Sequence, residues 1–257
     1  STLSSSSAAS DVYKRQVINT CCFIHDAKEE SVNTILEMAE YKKTGTCKIL
    51  IVTGCMAQRY KEEITEEIPE VDAVLGTTSY GDIVKALNEA EAGHVFREFK
   101  DINALPEDSG RRVITTGGHF GYLKIAEGCD KHCTYCIIPS LRGKFRSVPE
   151  ERLLKQAEYM ASQGVRELIL VAQETTVYGT DLYGKKTLHI LLKKLCQIKG
   201  IRWIRVLYCY PEEIYDELIQ VMKEEKKICH YLDLPIQHAS DRILKRCLLY
   251  TSPSPRD

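Results

Sequence analysis

The sequence predicts an α/β protein in two parts, a partial flavodoxin- or Rossmann-like domain followed by an incomplete (β/α) barrel. Three observations lead there. Apolar runs of strand length alternate with amphipathic helical stretches from Val17 almost to the end, the pattern of parallel sheets covered by helices. The alternation breaks once, over residues 93–118, in an aperiodic stretch holding Gly, Pro, Asp and paired arginines. Three cysteines, Cys129, Cys133 and Cys136, crowd the loop after the first strand of the second series. Strand C-terminal ends are where such folds place their chemistry.

Residues 1–16 are Ser/Ala-rich and aperiodic, and read as a non-native or disordered flank. Residues 17–92 form the first domain. A strand ends over 17–20, and a helix follows over 27–43 with Val32, Ile35, Leu36 and Ala39 on one face. The run Lys-Ile-Leu-Ile-Val-Thr at 48–53 is a buried parallel strand. A charged helix over 60–68, a short strand over 71–75 and a helix over 78–92 complete a small domain that lacks its first unit.

Residues 93–118 are the expected linker, and 119–247 the partial barrel. Its first strand, 121–125, leads into the cysteine loop. A helix over 150–163 follows, with Leu153, Leu154, Ala157, Met160 and Ala161 as its apolar stripe. Strand 167–171 precedes helix 188–198, and strand 203–207 precedes helix 211–225, with Pro211 at a tolerated first-turn position. Strand 228–234 precedes a helix starting near Ser240. The tail, 248–257, breaks the helical pattern and reads as non-native or disordered. Both ends look like foreign sequence joined to a truncated gene fragment. A barrel short of its last strands leaves an open edge, so the fragment as written is expected to be inactive.

With 44% hydrophobic and 28% charged residues the chain has an ordinary globular composition. A net charge of −1 exerts no global pull on nucleic acid. No apolar run is long enough to span a membrane, and no secretory leader is visible. Eleven cysteines without such a leader point to a reducing compartment, the cytoplasm, and to metal or redox use.

Thiolates packed as densely as Cys129, Cys133 and Cys136 select zinc or an iron–sulfur cluster. Structural zinc wants four ligands, commonly in separated pairs, and His132 would strain the loop as a fourth. Three cysteines on a four-iron cluster instead leave one iron open, whereas electron carriers usually close the cluster with a fourth cysteine. An iron–sulfur or zinc binding or electron-carrier module remains the non-enzyme alternative. Upstream, Cys21 in Asn-Thr-Cys-Cys-Phe-Ile and Cys55 in Thr-Gly-Cys-Met-Ala-Gln each follow a strand, so both would lie on one sheet edge. Each alone could be a small buried hydrophobe. Their joint placement favours ligands. Cys22 is a spectator or a substitute ligand. Cys47, Cys196, Cys209 and Cys229 are expected in or near the core, and Cys247, beside the tail, is given no role.

The run from Ala126 to Pro139, with Tyr135 between its last two thiols, resembles the signature of radical S-adenosylmethionine (SAM) enzymes, in which the open iron chelates SAM. The two upstream motifs resemble those of the methylthiotransferases, a radical SAM subfamily with an auxiliary 4Fe–4S cluster on three cysteines. Cys21 and Cys55 match the second and third of those ligands, and no cysteine precedes Cys21 to match the first. Within that subfamily the chain is most similar to the type that modifies an aspartate of a small-subunit ribosomal protein (S-twelve). The segments Ile137-Ile138-Pro139-Ser140-Leu141-Arg142-Gly143, Tyr178-Gly179-Thr180-Asp181, Tyr208-Cys209-Tyr210-Pro211 and Leu232-Asp233-Leu234-Pro235-Ile236-Gln237-His238 carry the likeness. Gln173-Glu174-Thr175-Thr176 has Glu where that type has Asp. The alternative is the tRNA-adenosine type, which would show an Asn-rich segment there.

The likeness covers residues 17–246. It implies two 4Fe–4S clusters and SAM. Cys129, Cys133 and Cys136 would hold the cluster that cleaves SAM, and the auxiliary cluster would carry the methylated sulfur to a substrate carbon radical. Gln173, Glu174, Arg205, Gln237 and His238 follow or end barrel strands, so they are candidates to contact SAM or substrate. The basic cluster Arg142, Lys144 and Arg146 is either a solvated face or a recognition element. The resemblance further implies a flavodoxin- or ferredoxin-type reductant, and RNA contact through a C-terminal domain the sequence does not include.

Overall fold

The computed structural model describes residues 14–106 and 113–249, and the chain divides into two compact units at residues 109 and 110. Most of the two expected flanks lies outside the described residues. Arg15 and Gln16, assigned to the first flank, belong instead to a strand.

The first unit runs β1 (Arg15–Thr20), α1 (His25–Thr44), β2 (Ile49–Gly54), α2 (Cys55–Glu67), β3 (Ala73–Leu75), α3 (Ile83–Glu91) and β4 (Phe96–Glu98). All four strands are parallel, in the order β1-β2-β3-β4. Every residue of β2 is buried, so both faces of the sheet are covered, as its unbroken apolar run anticipates. On one face Ile49, Ile51, Ala73 and Leu75 pack with Ala86 and Ile83 of α3.

Three expectations for this unit need correction. The buried stripe of α1 is Ser31, Ile35, Met38 and Ala39, a helical spacing that leaves Leu36 half exposed. Helix α2 begins at Cys55 rather than near residue 60, because Gly54 at φ +99° turns the chain straight from strand into helix. A Cβ there would lie 2.5 Å from Asn19 Oδ1 and from the Thr20 carbonyl. Lys61 interrupts that helix with φ +31°, so the charged stretch read from the sequence is its second half. Finally, β4 lies inside the expected linker. It is three residues long and pairs with β3 in register Ala73↔Phe96, too short to carry an apolar period.

The second unit runs β5 (Phe120–Lys124), β6 (Ala126–Glu127), α4 (Ile138–Arg142), β7 (Arg146–Ser147), α5 (Glu150–Ser162), β8 (Glu167–Val171), α6 (Thr180–Tyr183), α7 (Leu188–Cys196), β9 (Trp203–Val206), α8 (Asp216–Glu224), β10 (Ile228–Leu232) and α9 (Asp241–Arg246). Strands β5, β8, β9 and β10 are parallel neighbours in chain order, an arc of a barrel. Alternate residues Leu123, Leu168, Leu170, Ile204 and Val206 are fully buried on the helix-covered face. Leu153, Ala157 and Met160 of α5, and Leu191, Leu192 and Leu195 of α7, supply the helical side of that core. Residues between them, such as Tyr122, Lys124 and Arg205, share the opposite, inner face. The helix expected over 211–225 is broken into a 3₁₀ turn, Pro211–Glu213, and α8. That break shapes the site.

Candidate functional site

The cysteine loop leaves β5 through β6, which pairs antiparallel with β7 and so brings the two ends of the loop together. Gly128, at φ +78°, sits at the crossing. A Cβ there would lie 2.1 Å from the Lys144 carbonyl oxygen, so glycine alone allows the two backbones to approach. Cys129 N donates to the Gly143 carbonyl at 3.2 Å, and Phe145 N donates to Asp130 Oδ1 at 2.9 Å. Cys136 N donates to the Cys133 carbonyl at 2.9 Å, closing a tight turn before α4, where Pro139 occupies the first helical turn.

The three thiols are partly exposed and lie within electrostatic reach of one another. Burial pushes the Cys129 thiol up, and Glu174, Cys133 and Cys136 add to it. Burial also pushes Cys133 up, against a hydrogen bond from Tyr210 that favours the thiolate.

Glu174 is 3% exposed and follows the C-terminal end of β8. Its Oε1 accepts from Thr176 N at 3.1 Å, from the Thr176 hydroxyl, and from Tyr210 N at 3.3 Å. Its Oε2 is buried with no hydrogen-bond partner, and burial raises the carboxyl above its ordinary range. Gln173 Oε1 and Glu127 Oε1 are likewise buried acceptors without hydrogen-bond partners. Such orphans are rare in folded proteins, and each calls for an explanation, a missing donor among them. Three soft thiols beside an unpaired buried carboxylate oxygen fit, in donor chemistry, a 4Fe–4S cluster with a ligand that brings a hydrogen-bond donor.

Tyr135, largely exposed, donates its hydroxyl to Gln237 Oε1 at 2.9 Å, which ties the cysteine loop to the segment after β10. Glu174 thus lies beside Cys129 and Tyr135 beside Cys133 and Cys136, and Gln237 is tied to the loop through Tyr135. Arg205 does not join them. It lies on the inner face of the sheet, its Nε 2.7 Å from Glu167 Oε1 and its guanidinium over the Tyr231 ring at 5.2 Å. His238 Nδ1 accepts from Ser240 N at 2.9 Å, a local turn. The basic cluster is built into the loop: Arg142 pairs with Glu127 Oε2 at 3.6 Å, beside Lys124 on the same oxygen, and Arg146 donates to the Arg142 carbonyl at 3.0 Å. Cys247, given no role, accepts from Thr134 N through its carbonyl at 3.1 Å. Cys47, Cys196 and Cys209 are buried, and Cys229 is partly so.

Sequence reasoning missed Lys131, Glu127, Tyr210 and the pair Glu212 and Glu213 as parts of this site. Lys131 Nζ lies 2.6 Å from Glu213 Oε1 and 3.0 Å from Glu212 Oε1. Tyr210 falls within a segment that carries the family likeness, but nothing in that segment ties it to Cys133.

The first unit gathers a second set of thiols. The register Thr20↔Gly54 puts Cys21 and Cys22 beside Cys55 at one sheet edge, while Cys47 precedes β2 at the other end. Ser31 Oγ accepts from Cys21 N at 3.0 Å and lies 2.8 Å from the Ala27 carbonyl, fastening the thiol loop to α1. Thr20 Oγ1 donates to the Thr53 carbonyl at 2.6 Å and so locks the two strand ends. Cys21 is exposed, while Cys22 and Cys55 are buried. Burial raises the Cys22 thiol, the nearby Cys55 adds to that, and Arg59 opposes it through its charge and a hydrogen bond. Two of the expected ligands, with Cys22 as a further thiol at the same edge, fit an auxiliary cluster in donor chemistry. Among the described residues, no three His, Cys, Asp or Glu side chains are placed to hold a single metal ion.

Residues 123–251, just over half of the chain, match the sequence model of the Radical SAM superfamily, and residues 2–76 match Uncharacterized protein family UPF0004. A protein of Lachnoclostridium phytofermentans called "Ribosomal protein uS12 methylthiotransferase RimO" is 68% identical over 230 residues, covering 90% of this chain and 52% of that protein. The protein of the same name from Clostridioides difficile is 54% identical over 229 residues, covering 89% and 52%. The chain therefore spans about half the length of the curated relatives it matches. Among solved structures, the radical SAM methyltransferase TsrM of Kitasatospora setae superposes with a TM-score of 0.62 at 10% identity, covering 93% of this chain and 52% of that one. The cobalamin-dependent SAM radical enzyme OxsB gives 0.57 at 16% identity, covering 90% and 36%. At these identities the likeness to both is one of fold.

Proposed function

Because the chain belongs to the radical SAM superfamily, we propose that it serves methylthiolation of an aspartate in ribosomal protein uS12, with SAM and two 4Fe–4S clusters as cofactors. The observation that carries the reading is the three-thiol loop at the C-terminal end of the first barrel strand, with the unpaired carboxylate oxygen of Glu174 beside it. The identities of 68% and 54% to proteins of that name support the substrate. Bound clusters and SAM supply one-electron chemistry that can break an unactivated C–H bond.

The chain's own residues bind, orient and enclose. Cys129, Cys133 and Cys136 would hold one cluster, and Cys21 and Cys55, with Cys22 at the same edge, would hold the other. Glu174 and Gln173 would offer buried acceptors to SAM. The Tyr135–Gln237 hydrogen bond closes one side of the loop. Glu127, held between Lys124 and Arg142, anchors the loop's root. An aspartate β-carbon is too weakly acidic for removal of its proton by any side chain here, which is why base catalysis is given no part. The reading includes a flavodoxin- or ferredoxin-type reductant, a cytoplasmic setting, and RNA contact through sequence beyond this chain. Among the described residues no helix is long and apolar enough to cross a membrane.

The test is mass spectrometry of uS12 and of tRNA after incubation with reductant, SAM and the reconstituted full-length protein that carries this sequence. A methylthio group on one uS12 aspartate, lost in Cys133→Ala, is the expected result. A methylthio-adenosine in tRNA with unmodified uS12 would overturn the substrate assignment.

A further inference from the structure

The loop after β9 grips the cysteine loop from outside. Tyr210 leads into the 3₁₀ turn at Pro211, and its backbone is fixed twice over, N–H to Glu174 Oε1 at 3.3 Å and to Thr176 Oγ1 at 3.4 Å. Its hydroxyl reaches the Cys133 sulfur. Above its ring, at 4.5 Å from the centroid, sits the ammonium of Lys131, which lies between Cys129 and Cys133 in the chain. Lys131 is held there by Glu213 at 2.6 Å and Glu212 at 3.0 Å, and Glu213 is itself fixed by Lys186 at 2.9 Å. One side chain of the outer loop therefore touches a cluster ligand, and one side chain of the cysteine loop is clamped by the outer loop.

We propose that Tyr210 is a positioning residue for the three-thiol site, its hydroxyl donating a hydrogen bond to the Cys133 sulfur and, together with Lys131, raising the reduction potential of the cluster held there. The proposal rests on the cluster reading above and adds to it the groups that tune the cluster. A donor on a ligating sulfur draws electron density away from the metal and favours the reduced state, which carries more negative charge. The Lys131 cation, 4.5 Å from the centroid of the Tyr210 ring, acts in the same direction. Hydrogen bonds to sulfur and local charge are among the levers by which proteins set cluster potentials. The two acids hold the Lys131 ammonium in place, Glu213 Oε1 at 2.6 Å and Glu212 Oε1 at 3.0 Å.

The test is an EPR-monitored redox titration of the reconstituted chain in a Cys21→Ala/Cys55→Ala background, so that only the loop cluster is read. Tyr210→Phe, which removes the hydroxyl alone, is expected to retain iron and shift the midpoint to more negative potential. A roughly tenfold loss in the reduced-to-oxidised ratio at fixed poise, ~59 mV for one electron, is the scale. Lys131→Gln is expected to shift it in the same direction, and Tyr215→Phe, whose hydroxyl meets His189 Nδ1 at 3.1 Å away from the thiols, to leave it in place. Unchanged midpoints in both Tyr210→Phe and Lys131→Gln, with parental iron content, would overturn the proposal. Should Tyr210→Phe fail to hold iron, an unmoved midpoint in Lys131→Gln overturns it and a negative shift supports it. A parental chain that takes up no SAM-responsive cluster overturns the functional reading itself, a result distinct from an unmoved midpoint.

Discussion

Tyr178 is the largest fully buried side chain among the described residues, and its hydroxyl donates to the Val148 carbonyl at 2.8 Å. Tyr178→Phe keeps the ring but strands a buried acceptor, so denaturant unfolding should show a loss of about 1–2 kcal/mol with an unchanged m-value. His189 gives a pH dependence. Burial lowers its pKa, and its Nδ1 lies 3.1 Å from the Tyr215 hydroxyl. A depressed folded pKa means that its contribution is present above the unfolded value near 6.5 and is lost as pH falls through the lower folded value. The unfolding midpoint should therefore drop as pH falls below the unfolded value near 6.5, and His189→Gln should flatten that slope. Thiol labelling separates the cysteines by burial. Cys196 and Cys209, buried and pushed to about 11, should resist alkylation of the folded chain, while exposed Cys21 reacts. Peptide mapping after brief iodoacetamide treatment reads the order directly. The cysteine ligands were legible because spacing along the chain encodes them. Tyr210 and Lys131 were not, since Lys131 and its partner Glu213 stand 82 residues apart and meet only through the fold.

Elements with a clean period were readable. Strand β8 has the bounds its sequence predicts, and α5 differs by one residue, because long apolar stripes leave little choice of register. Elements defined by a single backbone event were not. The start of α2 depends on one glycine at positive φ, and the division of residues 211–225 into a 3₁₀ turn and α8 depends on the extended backbone of Ile214 and Tyr215 between them. A pair of glycine variants separates the two costs such positions carry. Gly184, at φ +68°, has nothing within 4 Å of the place an alanine methyl would take, so Gly184→Ala should cost only about 1 kcal/mol of conformational strain. Gly128→Ala adds a clash with the Lys144 carbonyl, a backbone atom that cannot swing aside. It should lose its iron on reconstitution while far-UV circular dichroism remains close to the parent, because the displaced segment is a loop.

Across the whole molecule, each unit places a set of thiols at the C-terminal ends of parallel strands, and the sequence reveals this because strand, loop and ligand are contiguous. What the sequence hides is how the barrel arc supports its loop: the β6–β7 pairing, the buried Glu127 between Lys124 and Arg142, and Glu174 reaching across to Tyr210. All of these depend on distant segments meeting. The measurement that bears most directly on the central claim is EPR of the anaerobically reconstituted, reduced chain before and after addition of SAM. A 4Fe–4S signal from the Cys129, Cys133 and Cys136 loop that changes on adding SAM, and disappears in Cys133→Ala, is the predicted result. Zinc in place of iron, or a cluster signal indifferent to SAM, would contradict it.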